Sequence, residues 1–160
     1  MLFNWNDLIL HLKYFSVFFP IGPAAQLLFT TGSEIHGQVI ESTNNRREFD
    51  VIKNESRITG VDYNPKTKIL YLVDSQEKVV KRSYIPGSSG HKEAMIGSSQ
   101  VIVTMTSKAS TPLDVATDWL SGNIYWTEAK PGTFGNPRGS IFTRTFITGQ
   151  SISWNKKMIS

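Results

Sequence analysis

The 160-residue chain contains no cysteine. A scaffold stapled by disulfides is therefore excluded for this stretch, and a zinc centre would lack thiolate ligands. Histidine is also scarce: His11, His36 and His91 share no metal-ligand spacing, and His36 falls in an expected strand as a surface histidine. No Gly-x-Ser-x-Gly elbow is present, and the glycines between Gly132 and Gly139 lack the Lys-Ser/Thr of a phosphate loop. These absences point away from nucleophilic catalysis, from a resident metal and from a cofactor. No apolar run reaches the ~20 residues of a membrane span. Tyr14 to Gly22 has about the length of a signal-peptide core, with the small residues Pro23-Ala24-Ala25 after it, but Asp7 and the single Lys13 before it deny it a basic start. Residues 1–26 are set apart as an apolar leader, either a signal peptide or a mis-started segment, with an element packed on the fold as the alternative.

What is present is enough for a folded domain: 39% of the residues are hydrophobic, and the formal net charge is +4, from 17 basic and 13 acidic groups. The basic groups are scattered through Arg46-Arg47, Lys66, Lys68, Lys81-Arg82, Arg138, Arg144 and Lys156-Lys157. A nucleic-acid binder would gather them on one element, so they read as a solvated surface.

The most informative stretch is Asp118-Trp119-Leu120-Ser121-Gly122-Asn123-Ile124-Tyr125-Trp126-Thr127-Glu128. Ser121-Gly122-Asn123 is a turn signal, because glycine and asparagine accept the positive φ of a short hairpin. In the strand after it, Ile124, Trp126 and Glu128 share one face, and Tyr125 and Thr127 the other. A further strand is expected at Ser140 to Thr145. Bulky groups on both faces require this small sheet to lie between neighbours. A second copy appears at Ile58 to Gly87, with Asp62 set against Asp118, Ile69 to Asp74 set against Asn123 to Glu128, and a connecting turn two residues longer. A third and weaker copy is Leu27 to Thr31. The interval of 43 residues from Leu28 to Tyr71 fits the ~40–50 residues of a four-stranded propeller blade, and that of 54 from Tyr71 to Tyr125 needs about ten inserted residues. The longer one holds the Ser- and Gly-rich insertion from Ser88 to Ser110, in which Val101 to Met105 is the expected outer strand.

These residues resemble the YWTD repeat, the class B repeat of the low-density lipoprotein receptor family. Tyr125-Trp126-Thr127 match the motif, and Glu128 stands for its aspartate. Tyr71 and Asp74 match its ends, while Leu72 and Val73 depart from it. The resemblance implies an all-β fold: a partial six-bladed YWTD β-propeller, with about three blades of four-stranded antiparallel sheets at 27–54, 55–110 and 111–160. It also implies a structural role for Asp62, Tyr71, Asp74, Asp118, Trp119, Tyr125, Trp126, Thr127 and Glu128, the carboxylates of Asp62 and Asp118 accepting backbone N–H groups at strand ends. The Cys-rich ligand-binding and EGF-like modules of that family are not expected within this chain.

The function so implied is that of an extracellular or cell-surface ligand-binding propeller of a lipoprotein-receptor-related endocytic or signalling receptor, recognising a protein ligand through rim loops. No catalytic residues, nucleic acid or cofactor are expected, and a membrane enters only through a longer product. The excursion from Pro131 to Gly139 is one candidate contact loop. Asn54-Glu55-Ser56 fits the N-glycosylation pattern. An isolated half ring is expected to self-associate, since open sheet faces and edges invite it. The alternatives are a metal-dependent lactonase-like propeller hydrolase, and a truncated gene product without independent activity.

Overall fold

Short β-prone runs separated by turn residues become strands here, and hairpin connections of a few residues make them pair in chain order. The computed structural model describes residues 14–21, 24–40, 47–85, 98–105, 107–130, 138–147 and 150–158. Every regular element among them is a strand. The first sheet holds β1 (Tyr14–Ile21), β2 (Ala24–Thr30), β3 (Ile35–Ile40) and β4 (Arg47–Ile52). The second holds β5 (Ile58–Asn64), β6 (Ile69–Asp74), β7 (Val79–Tyr84) and β8 (Gln100–Thr104). The third holds β9 (Thr111–Asp118), β10 (Asn123–Lys130), β11 (Arg138–Ile147) and β12 (Gln150–Met158). Each sheet is an antiparallel meander in sequence order. This is the all-β architecture of three four-stranded propeller blades.

The first sheet takes in Tyr14–Ile21 and the start of β2, part of the segment set apart as a leader; residues 1–13 lie outside the described residues. The strands of the second and third sheets fall within 55–110 and 111–160. Residues 131–137, most of the excursion named as a contact loop, are outside the description, as are 86–97 in the insertion.

Two apolar layers hold the stack. Leu28, Ile35, Val51 and Ile52 of the first sheet meet Ile58, Val61, Tyr63, Leu70 and Leu72 of the second. Tyr71, Val73, Val80 and Val103 leave the other face of the second sheet to meet Val115, Ile124 and Trp126 of the third. Alternation along β6 thus feeds both layers, which is why Ile69 to Val73 carries bulky, mostly apolar side chains without a break. Leu28 and Tyr71 each face the following sheet, as their 43-residue spacing requires.

The register corrects the alignment of the second and third copies. Asn64 pairs with Ile69 and Asp118 with Asn123, so turns 65–68 and 119–122 are equal in length, and Asn64, not Asp62, corresponds to Asp118. Both turns are folded by the same device. Asn64 Oδ1 accepts from the amides of Lys66 (3.0 Å) and Thr67 (3.3 Å), and Asp118 Oδ1 from those of Leu120 (3.0 Å) and Ser121 (3.2 Å). Lys68 (φ 57°) and Gly122 (φ 76°) take the left-handed position that closes each turn. A bulge recurs as well, between Ile58 and Gly60 in β5 and opposite Thr127/Glu128 in β9.

Where β5 passes β9, Gly60 lies against Asp114: a Cβ on Gly60 would stand 2.6 Å from Asp114 Cα and 3.1 Å from Val115 N. Backbone cannot rotate aside as a side chain can, so Gly60→Ala is expected to part the second and third sheets. The predicted loss is about 1–3 kcal/mol, the usual cost of overpacking, read by urea unfolding. Unchanged stability would mean that the two strands do not approach in this way.

Candidate functional site

The repeated strand is first of all a packing device. Trp126 is buried at 1% exposure, stacks on Phe142 at 5.5 Å between centroids, and donates from Nε1 to Glu128 Oε1 at 3.0 Å. Its neighbour Tyr125 points the other way, is 37% exposed, and is not between sheets as its counterpart Tyr71 is. Thr127 is half-buried. Trp119, placed in the repeat motif by its sequence neighbours, is 47% exposed in the β9–β10 turn, with Lys66 Nζ 5.1 Å from its ring centroid.

The acidic ends of the motif strands fasten each sheet to the segment that leads into it. Asp74, fully buried, accepts the amides of Ser56 (2.8 Å), Gln76 (3.0 Å) and Glu77 (2.9 Å). Glu128 stands at the same register and, one methylene longer, reaches the hydroxyl of Ser110 and the indole of Trp126. Ser56 and Ser110 occupy equivalent places ahead of β5 and β9. Glutamate therefore meets the leading segment through a side chain where aspartate meets it through the backbone.

Asp62 has a different task. Its Oδ2 accepts from Thr117 N (2.6 Å) and Thr117 Oγ1 (2.9 Å), and its Oδ1 from Tyr63 N (2.8 Å), so one carboxylate ties β5 to β9 across the sheet boundary. Asp118 stays within its own turn, and a hydroxyl donated by Ser121 (2.5 Å) together with two amides holds its carboxyl below the ordinary range.

An ionic cluster sits beside Asp74 and was not foreseen from the sequence. Lys81 Nζ lies 2.5 Å from Glu55, 2.6 Å from Glu77 and 3.8 Å from Asp74, and Ser99 and Ser56 donate to Glu55 (2.5 Å) and Glu77 (2.9 Å). Burial works against the Lys81 charge, but the bonds to Glu55 and Glu77 outweigh it and hold the ammonium above its usual range. Hydrogen bonds from Lys81 and then Ser56 hold Glu77 below the carboxylate range. Glu55, Asp74 and Glu77 come close enough together to ligate a cation. The Lys81 ammonium already supplies the positive charge there, which makes the cluster a structural clasp. The signal for it was the Lys81-Arg82 pair inside an otherwise β-forming strand.

His36 is less exposed than a lone surface histidine: its ring stacks on Phe29 (centroids 5.5 Å apart) and lies 3.2 Å from Glu34 and 3.2 Å from Asp50. Asn54 is exposed, with φ 64°, and the serine of its Asn-Glu-Ser pattern, Ser56, is engaged at the clasp. Among the described residues no helix is long and apolar enough to cross a membrane.

No profile of a known protein family matches the chain. Among curated proteins it is similar to low-density lipoprotein receptor-related protein 8 of Gallus gallus, 25% identical over 123 residues, which cover 77% of this chain and 12% of that protein. Among solved structures it is similar to a chain in the crystal structure of a nidogen/laminin complex, with a TM-score of 0.57 and 19% identity, covering 79% of this chain and 43% of the other. The chain therefore spans less than half the length of either relative. With the Trp126 face of the Tyr-Trp-Thr-Glu strand packed on the neighbouring four-stranded sheet, these likenesses support a relationship of the chain to the class B, or YWTD, β-propellers of the low-density lipoprotein receptor family.

Proposed function

We propose that the chain is part of an extracellular, receptor-type propeller that binds a protein ligand through loops on its rim and catalyses no reaction. One observation carries this reading: the polar groups of the repeat, from Asp62 and Asp74 to Glu128 and the Lys81 clasp, bond to the chain's own strands and turns, so the stack is built as a rigid support. Recognition is then left to the loops that the stack presents. The similarity to a receptor-related protein and to a propeller in a nidogen/laminin complex supports a protein ligand. Uptake or signalling would belong to the whole receptor.

Two further proposals attend it. Asn54, exposed ahead of β5, is the acceptor for an N-linked glycan. The isolated chain associates with itself through the outer face of its third sheet, where Tyr125 and Ile141 are each 37% exposed.

Secretion of the chain from animal cells, followed by a binding screen against secreted proteins, tests the set. The expected results are saturable binding of a protein ligand, a glycosidase-sensitive mass increment abolished by Asn54→Gln, and light scattering above monomer mass that falls on dilution. A stable monomer would remove the association. Metal-dependent turnover of a lactone, with no protein bound, would overturn the binding assignment in favour of the hydrolase.

A further inference from the structure

The turns β5–β6 and β9–β10 lie side by side on one rim and share a geometry, yet they are written in different residues: Pro65-Lys66-Thr67-Lys68 in one, Trp119-Leu120-Ser121-Gly122 in the other. The first shows that this turn can be built without an apolar residue larger than proline. Trp119 and Leu120 are nonetheless 47% and 72% exposed. They do not stand apart from the neighbouring blade. Lys66 Nζ lies 5.1 Å from the Trp119 ring centroid, and the amide of Ile85 donates to Lys68 O at 2.8 Å, which seats Tyr84, 59% exposed, beside Lys68. The result is an exposed surface running over two blades, with Lys66 against Trp119, Leu120 next to Trp119 in its turn, and Tyr84 paired with Ile69 next to Lys68. Asp118, at the head of the second turn, is committed to Leu120 N, Ser121 N and Ser121 Oγ, and Lys66 and Lys68 are both exposed.

Exposed tryptophan and tyrosine mark a protein-binding patch, and the two ammonium groups beside them select for carboxylates in the partner. From this charge and shape we infer that the rim formed by Tyr84, Lys66, Lys68, Trp119 and Leu120 takes an acidic, extended segment of a protein partner that carries a bulky apolar side chain. Carboxylates of the segment meet Lys66 and Lys68, while its apolar group covers Trp119 and Leu120. The inference rests on the rim-binding function proposed above and says which rim and which chemistry.

The test uses the full chain and a short fluorescein-labelled peptide alternating glutamate and leucine, read by fluorescence anisotropy. Saturable binding is expected, weakened roughly tenfold or more by the double substitution Lys66→Glu/Lys68→Glu and by Trp119→Ser/Leu120→Ser, and weakened by added salt. These positions are exposed, and unchanged melting of the variants confirms that they fold. Equal binding of a lysine–leucine peptide would show a merely adhesive surface and overturn the inference, as would preference for phosphatidylserine vesicles over the peptide. Applied to a ligand from the secreted-protein screen, the same variants separate the two claims. A ligand that binds all of them as tightly as the parent sinks this rim and leaves the receptor reading standing, whereas failure of the screen strikes the receptor reading itself.

Discussion

Trp126→Ala is expected to cost about 3–5 kcal/mol, a large share of the roughly 5–15 kcal/mol by which a domain is held folded. Trp126 is the largest fully buried side chain among the described residues and packs where the second and third sheets meet. Its removal opens a cavity against Phe142 and takes the indole N–H from Glu128, which is itself buried. Trp126→Phe separates the two losses: the ring is largely kept, the donor is not, and the penalty falls to about 1–3 kcal/mol for a buried acceptor left short of a partner. Tyr125→Ala, one residue away and 37% exposed, is expected to change stability little, within about 1 kcal/mol. Denaturant unfolding of the three variants reads the order directly. Equal effects at 125 and 126 would mean that the strand does not present Trp126 to the second sheet.

Lys81→Met is the second large effect, with an expected loss of about 3–5 kcal/mol near neutral pH. The methionine fills most of the volume of the lysine stem, so packing is largely kept while Glu55 and Asp74, both buried, and Glu77 lose the cation among them. The pH dependence is the sharper test. In the parent protein the folded pKa of Lys81 is raised, so its contribution is fully present below the ordinary lysine value of 10.5 and is lost as pH climbs through the folded value. The folded pKa of Glu77 is lowered, so its contribution is present above the ordinary glutamate value of 4.5 and is lost as pH falls through the folded value. Between the two lies a plateau for this cluster. In Lys81→Met the three carboxylates repel one another, and protonating one of them is relief, so the variant should recover part of its loss on mild acidification from neutral pH, where the parent stays on its plateau. A variant whose deficit does not change with pH would show that Lys81 acts by packing alone.

The sequence carried the strands at the middle of each sheet most clearly. Ile69–Asp74 and Asn123–Glu128 combine β-forming side chains with turn residues ahead of them, and both signals are local. The pairing of Asp62 with Asp118 failed for an equally local reason. Two aspartates look alike in a sequence, but the turn needs only a short side chain that accepts two amides, and Asn64 does this as Asp118 does. That freed Asp62 to bond Thr117 on the next sheet, a partner 55 residues away that no local pattern announces. Trp119 was grouped with the motif because it follows Asp118, and the turn geometry puts it outside. Of the Lys81 clasp only the Lys81-Arg82 pair within a β-forming strand was legible, since the carboxylates around it come from the segment before β5, the end of β6 and the next turn.

The recurrence of an alternating apolar strand after a turn pointed by itself to repeating sheets that must stack, and the resemblance carried by Tyr125-Trp126-Thr127 supplied the all-β propeller. Alternation along a strand is a property of the backbone, and it survives any packing. Which carboxylate fastens which sheet, which face of Ile69–Asp74 meets which neighbour, and which turn residues remain at the surface were decided only when the sheets stacked, because those outcomes depend on groups brought together across the chain.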